Sequence, residues 1–149
     1  MRNSSKSQLK DLASKFSKII KKGDYILLYG KIGTGKTTFT RFLINSLQKK
    51  NKKPQTEIPS PTFNIAIEYK IKNIIIRHFD LYRIKNNLEI NNIGLFEETD
   101  NVITVVEWPE IIRIKPKNYI KIYFKYSKKI DERNLRISSY GRCKQYEIN

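Results

Sequence analysis

The sequence predicts an α/β fold in which a mixed β-sheet, parallel at its core and antiparallel beside it, is flanked by helices. Three observations predict it. The runs Tyr25–Tyr29 and Val102–Val106 are apolar almost throughout, as in strands covered on both faces of a parallel sheet. Residues 8–22 and 36–49 repeat apolar side chains at helical spacing. Two further β-rich runs, 65–69 and 74–79, are separated by only Lys70 to Asn73, too few residues for a crossover helix, so they are expected to pair antiparallel.

Taken in order, the first helix carries Leu9, Leu12, Ala13, Phe16, Ile19 and Ile20 in one stripe. Ser5 and Gln8 form a candidate capping box, and Lys21-Lys22-Gly23 supplies a basic end and a C′ glycine. The strand Tyr25–Tyr29 lies between Gly23 and Gly30. In the second helix Phe39, Phe42, Leu43 and Leu47 share a face, and the Lys- and Asn-rich stretch 48–57 reads as a solvated linker. Residues 87–98 read as a short helix and turn broken by Gly94, and Val102–Val106 ends at Trp108-Pro109. Ile120, Ile122, Phe124 and Tyr126 alternate with more polar neighbours, Leu135, Ile137 and Ser139 less strongly. Tyr146 and Ile148 read as a last short strand, and all of these are expected as antiparallel, half-exposed strands.

With 149 residues and 17.7 kDa, residues 1–149 are expected to form a single domain. A mean hydropathy of −0.56 and the lack of any run near the roughly 18 apolar residues of a membrane span argue for no membrane partner. The basic, Ser-rich start is interrupted by Lys10, Asp11, Lys15 and Lys18, so a folded, retained N-terminus is expected rather than a signal peptide. One cysteine, Cys143, and one histidine, His78, exclude an intramolecular disulfide and a Cys/His zinc site, which suits a cytoplasmic setting. The net charge of +16 has two readings: a field for a polyanion such as RNA, or a composition rich in Lys, Ile and Asn throughout. The lysines are scattered over all segments, which favours the second.

Residues 30–37 read Gly-Lys-Ile-Gly-Thr-Gly-Lys-Thr, the pattern G-x-x-x-x-G-K-T of a phosphate-binding loop. A chance match in a chain this long is on the order of one in a few hundred, and here a buried strand precedes it and an amphipathic helix follows. The chemistry requires these residue types. Backbone N–H groups wrap a β-phosphate and the helix N-terminus adds its dipole. Gly30, Gly33 and Gly35 permit conformations and close approach that a Cβ obstructs. Lys36 is expected between the β- and γ-phosphates, Thr37 offers a hydroxyl to Mg²⁺, and Thr38 can touch the α-phosphate. ATP with Mg²⁺ is thus the expected ligand, held by Ile32, Gly33, Thr34, Gly35, Lys36, Thr37 and Thr38 in a P-loop NTPase fold.

Such a site needs a carboxylate at the end of a neighbouring strand. Asp80 and Glu107 both end apolar runs. Glu107 follows the more apolar strand and is the choice for the metal, with Thr37; Asp80 is the second acidic group, outside the metal or orienting water. Ser60-Pro61-Thr62 places two hydroxyls in a rigid turn, read equally as an ordinary loop. Trp108 stands beside the proposed ligand, packing in the core or covering the site. His78, within an apolar strand, reads as a hydrogen-bonded core residue before a catalytic one. Arg41 and Arg83 carry no supporting motif as arginine fingers.

With these pieces in line, the chain resembles the bacterial TsaE (YjeE) family from about Leu9 to Pro109. The resemblance rests on Leu28-Tyr29-Gly30 through Gly33-Thr34-Gly35-Lys36-Thr37-Thr38-Phe39, then Ser60-Pro61-Thr62-Phe63, His78-Phe79-Asp80-Leu81-Tyr82-Arg83 and Val106-Glu107-Trp108-Pro109. The loop alone is generic; the last two segments behind it are specific. The resemblance implies ATPases needed to make threonylcarbamoyladenosine beside the tRNA anticodon, a P-loop fold with a mixed sheet, and docking on a TsaD–TsaB complex. By residue it implies Ile32 to Thr37 on phosphates, Thr37 with Glu107 on the metal, and Asp80 and Trp108 in turnover. Lys31 departs from the family, which usually has an acidic residue there; phosphate binding, which runs through backbone, is untouched. The expectation is a slow ATP hydrolase with catalytic Lys36, Asp80 and Glu107, stimulated by its partners. A P-loop small-molecule kinase is the first rival, lacking here a lid-sized insertion. A non-catalytic basic RNA-binding module is the second, lacking the aromatic-studded motif of single-strand binders.

Overall fold

A computed structural model describes residues 2–148. Its described residues form one sheet of seven strands: β1 (Arg2–Ser5), β2 (Tyr25–Tyr29), β3 (Ala66–Ile71), β4 (Ile74–Asp80), β5 (Val102–Glu107), β6 (Tyr119–Tyr126) and β7 (Glu132–Tyr140). The spatial order is β1-β7-β6-β2-β5-β4-β3. β2 lies at the centre, parallel to β5 on one side and β6 on the other, and β4 runs parallel to β5. The hairpins β3–β4 and β6–β7 and the edge pair β1–β7 are antiparallel. The mixed sheet with a parallel core is as the sequence predicts.

The period of two along β2 divides the core. Ile26 and Leu28 pack with α1 (Lys6–Ile19) and α2 (Lys36–Lys50), while Tyr25, Leu27 and Tyr29 pack on the opposite face. There they meet Phe79, Val106 and Ile90 of α3 (Asn87–Asn92). The helices meet through Phe16 and Phe39, edge to face with ring centres 5.4 Å apart. Ser5 and Gln8 close the expected capping box reciprocally.

Four expectations are corrected. The first helix ends at Ile19, with Ile20 already extended; Gly23, at φ +88°, serves the turn into β2 instead of capping the helix. β6 is parallel to β2, not antiparallel to its sheet neighbours throughout. Its alternation arises because Ile120, Ile122 and Phe124 are buried under the helices, while Lys121 on the other face lies over the Tyr29 ring. No strand forms at Tyr146; the chain turns through a 3₁₀ segment, Gly141–Gln145, and Tyr146 donates to Asp24 Oδ2 at 2.5 Å. The linker 48–57 is partly docked: Gln48 is buried and its amide donates to the Thr56 hydroxyl at 2.7 Å.

Candidate active site

The loop between β2 and α2 is shaped by its glycines. Gly30 sits at φ +139°, and a Cβ there would lie 2.5 Å from the Phe124 carbonyl oxygen, so only glycine fits against β6. Gly35, at φ +107°, occupies the N-cap of α2 with no side chain capping it, so among the described residues the first amides of that helix have neither intrahelical nor side-chain partners. The loop is pinned on its outer side. Thr34 donates its hydroxyl to the Lys31 carbonyl at 2.7 Å, and the Tyr126 hydroxyl of β6 donates to the Ile32 carbonyl.

Lys36 reaches back across this loop. Its Nζ donates to the carbonyls of Gly30 at 2.6 Å and Lys31 at 3.0 Å, and it lies 4.1 Å from the centre of the Trp108 ring. Burial pushes its ammonium below the ordinary lysine range, opposed by the nearby carboxylates of Glu107, Glu110 and Asp80. The amine has carbonyl acceptors but an incomplete countercharge, a state that a bound polyanion relieves.

Parallel pairing of β4 with β5 in the register Asp80↔Glu107 brings both strand-end carboxylates side by side. Glu107, only 2% exposed, accepts from the Thr37 hydroxyl at 3.0 Å through Oε2, and its Oε1 is 2.8 Å from His78 Nε2. Asp80 accepts the Thr62 hydroxyl at 2.8 Å and the Tyr82 amide at 2.9 Å, and Ser60 extends the chain of hydroxyls by a 2.8 Å contact to Thr62. Trp108 takes a left-handed backbone, φ 57°, directly after Glu107, and its ring packs against Tyr82 with centres 4.9 Å apart. Apart from His78, which lies in the core, these groups line a cleft of about 850 Å³. Among the described residues no three His, Cys, Asp or Glu side chains gather to hold a metal unaided. The oxygen pair Thr37 and Glu107 suits a hard cation that keeps waters and takes its remaining ligands from phosphates, which is how Mg²⁺ is usually bound.

With this geometry in view, the sequence matches the model of the family described as threonylcarbamoyl adenosine biosynthesis protein TsaE over residues 3–135. The chain belongs to the TsaE family. It is 40% identical to the TsaE protein of Rickettsia typhi over 109 residues, 73% of each chain. It is 38% identical to that of Rickettsia bellii over 122 residues, 81% of this chain and 82% of the relative, and 35% identical to that of Aquifex aeolicus over 109 residues, 73% and 74%. Its fold superposes on the crystal structure of Bacillus subtilis YdiB with a TM-score of 0.72 at 27% identity, covering 99% of this chain and 88% of that one.

In this TsaE chain Ile32, Gly33, Gly35, Lys36, Thr37 and Thr38 line the cleft together with Asp80, Glu107 and Trp108. Thr34 is turned inward, its hydroxyl spent on Lys31. Neither finger candidate lines the cleft: Arg41 donates to the Ile58 carbonyl at 2.7 Å, and Arg83 lies over the exposed Phe63 ring. Sequence reading missed the wall built by Ser4 to Ser7 with Ile130, Asp131 and Arg133. No local pattern marks it, because it exists only where β1 pairs with β7. It also missed that the core histidine touches the Glu107 carboxylate.

Proposed function

We propose that this chain is a Mg²⁺-dependent ATPase of low intrinsic rate that supports threonylcarbamoyladenosine modification of tRNA in the cytoplasm. Residues 1–149 act as one P-loop domain, and a TsaD–TsaB complex raises its turnover. Family membership supports the pathway. The observation that carries the chemistry is the Thr37 hydroxyl 3.0 Å from the Glu107 carboxylate, at the mouth of a glycine-lysine loop whose helix-start amides are uncapped.

The roles follow from position. Amides of residues 32–37 wrap the β-phosphate, Lys36 exchanges the Gly30 and Lys31 carbonyls for β- and γ-phosphate oxygens, and Thr38 meets the α-phosphate. Thr37 and Glu107 would hold magnesium, which would supply positive charge to offset what develops on the phosphate oxygens. Asp80, its carboxylate aimed by Thr62 and the Tyr82 amide, orients the attacking water. Low intrinsic turnover is supported by the placement of Arg41 and Arg83 outside the cleft lining and by the engagement of Arg133, the arginine that does line it among the described residues, with the Ile130 and Glu132 carbonyls. A free finger supplies roughly 10³–10⁵ in rate.

The test uses the lone tryptophan. With Lys36 Nζ over its ring, Trp108 fluorescence should respond to Mg·ATP, and labelled γ-phosphate should appear as free phosphate, faster when TsaD–TsaB is added. No change in fluorescence or melting temperature at millimolar nucleotide refutes nucleotide binding, and label transferred to an acceptor makes the chain a kinase.

A further inference from the structure

His78 is the chain's single histidine, and nothing above gives it a task. It is fully buried on β4, two residues before Asp80 and therefore on the same face of the sheet, with Val105 as its register partner on β5. Its Nε2 lies 2.8 Å from Glu107 Oε1, while Nδ1, also buried, has no hydrogen-bond partner among the described residues. A carboxylate oxygen accepts, so this contact is made with the proton on Nε2, and in the neutral ring that leaves Nδ1 a bare acceptor. A buried acceptor without a partner is costly. Packing does not explain that cost, since the neighbouring Ile76 and Val105 fill the same layer with apolar side chains.

The contact divides the two oxygens of Glu107. His78 holds Oε1 from the core side, and Oε2 is left facing the Thr37 hydroxyl at the start of α2. We propose that His78 is a positioning residue: its Nε2–H fixes the rotation of the Glu107 carboxylate so that one oxygen, already desolvated and aimed, is presented to the cation. The inference rests on the nucleotide reading of the site and adds to it the group that orients the metal ligand. Without the imidazole, Oε1 would be a buried, unpaired lone-pair site, and the carboxylate would rotate to satisfy it.

Because there is one histidine, ¹⁵N labelling of histidine gives an unambiguous spectrum of the whole chain. The expected spectrum is the Nε2–H tautomer with an exchange-protected proton, whereas an Nδ1–H tautomer overturns the proposal without any variant. The second measurement is the Mg²⁺ concentration needed for half-maximal ATP binding, read by Trp108 fluorescence. His78→Asn places its amide nitrogen only where Nδ1 was, and should raise that concentration about 10- to 100-fold while leaving metal-free ATP affinity unchanged. His78→Gln carries its amide nitrogen to the place of Nε2 and should restore most of the loss. Equal impairment of both variants, or an Asn variant with the wild-type Mg²⁺ requirement, overturns the positioning role alone. A wild-type chain whose ATP binding ignores Mg²⁺ overturns the metal assignment first, and the positioning role with it.

Discussion

Lys36 illustrates how a residue can be held ready without being committed. Its amine is secured by two loop carbonyls and an indole face, none of them a full negative charge, while burial disfavours its ionised form. Phosphate oxygens offer stronger, charge-assisted partners at no cost in new backbone structure. Lys36→Ala should therefore weaken Mg·ATP binding by about 10- to 100-fold, the equivalent of roughly 1.5–3 kcal/mol for a hydrogen bond to a charged group, in a fluorescence titration. Glu107 separates from it in outcome. Glu107→Ala leaves the loop amides and Lys36 in place, so ATP should still bind while Mg²⁺-dependent turnover falls at least about a hundredfold; unchanged hydrolysis in that variant would refute the metal assignment. Lys31, where the family usually carries an acid, is exposed and contributes its carbonyl rather than its side chain to these contacts.

At the scale of elements, the site depends on two junctions: β2 into α2, and the paired ends of β4 and β5. The first is set by packing beneath the loop, where Phe39 of α2 contacts Phe16 of α1 and Phe124 of β6, with ring centres 5.4 Å and 6.2 Å away. Phe16 is fully buried and is not among the residues that line the cleft. Phe16→Ala should cost about 3–5 kcal/mol in urea unfolding, through the cavity it leaves between α1 and α2. The second junction is set by register, because a slip of one residue between β4 and β5 would turn Asp80 or Glu107 to the opposite face. A third link joins the β6–β7 hairpin to the loop through the Tyr126 hydroxyl and the Ile32 carbonyl.

For the molecule as a whole, burial of acidic protons makes alkaline pH the sensitive side. Burial raises the Cys143 thiol from 9.0 to about 12, and the Tyr25 and Tyr29 phenols from 10.0 to about 12. Between those values the unfolded chain has released protons that the folded chain still keeps. The stability they contribute is thus complete below pH 9 and is lost as pH climbs toward 12. Melting temperature should be level below pH 9 in this respect and decline steadily above it; a curve that rises across that interval would contradict the burial of these groups. No helix among the described residues is long and apolar enough to cross a membrane.

What the sequence determined alone was the central strand–loop–helix unit, which is encoded in contiguous residues. The strand Tyr25–Tyr29, the glycine-lysine loop and the helix after it are neighbours in the chain, and their chemistry follows from residue type and spacing. The carboxylates Asp80 and Glu107 were also legible, because each ends an apolar run. Tertiary structure decided what depends on hydrogen bonds between distant segments. The direction of β6 beside β2 was hidden because alternation is set by which face is covered, and one covered face looks alike in either direction. The edge strand Arg2–Ser5 and the wall opposite the loop exist only by pairing with β7. The bond from His78 to Glu107 spans 29 residues and joins neighbouring strands, so no local pattern in the chain announces it.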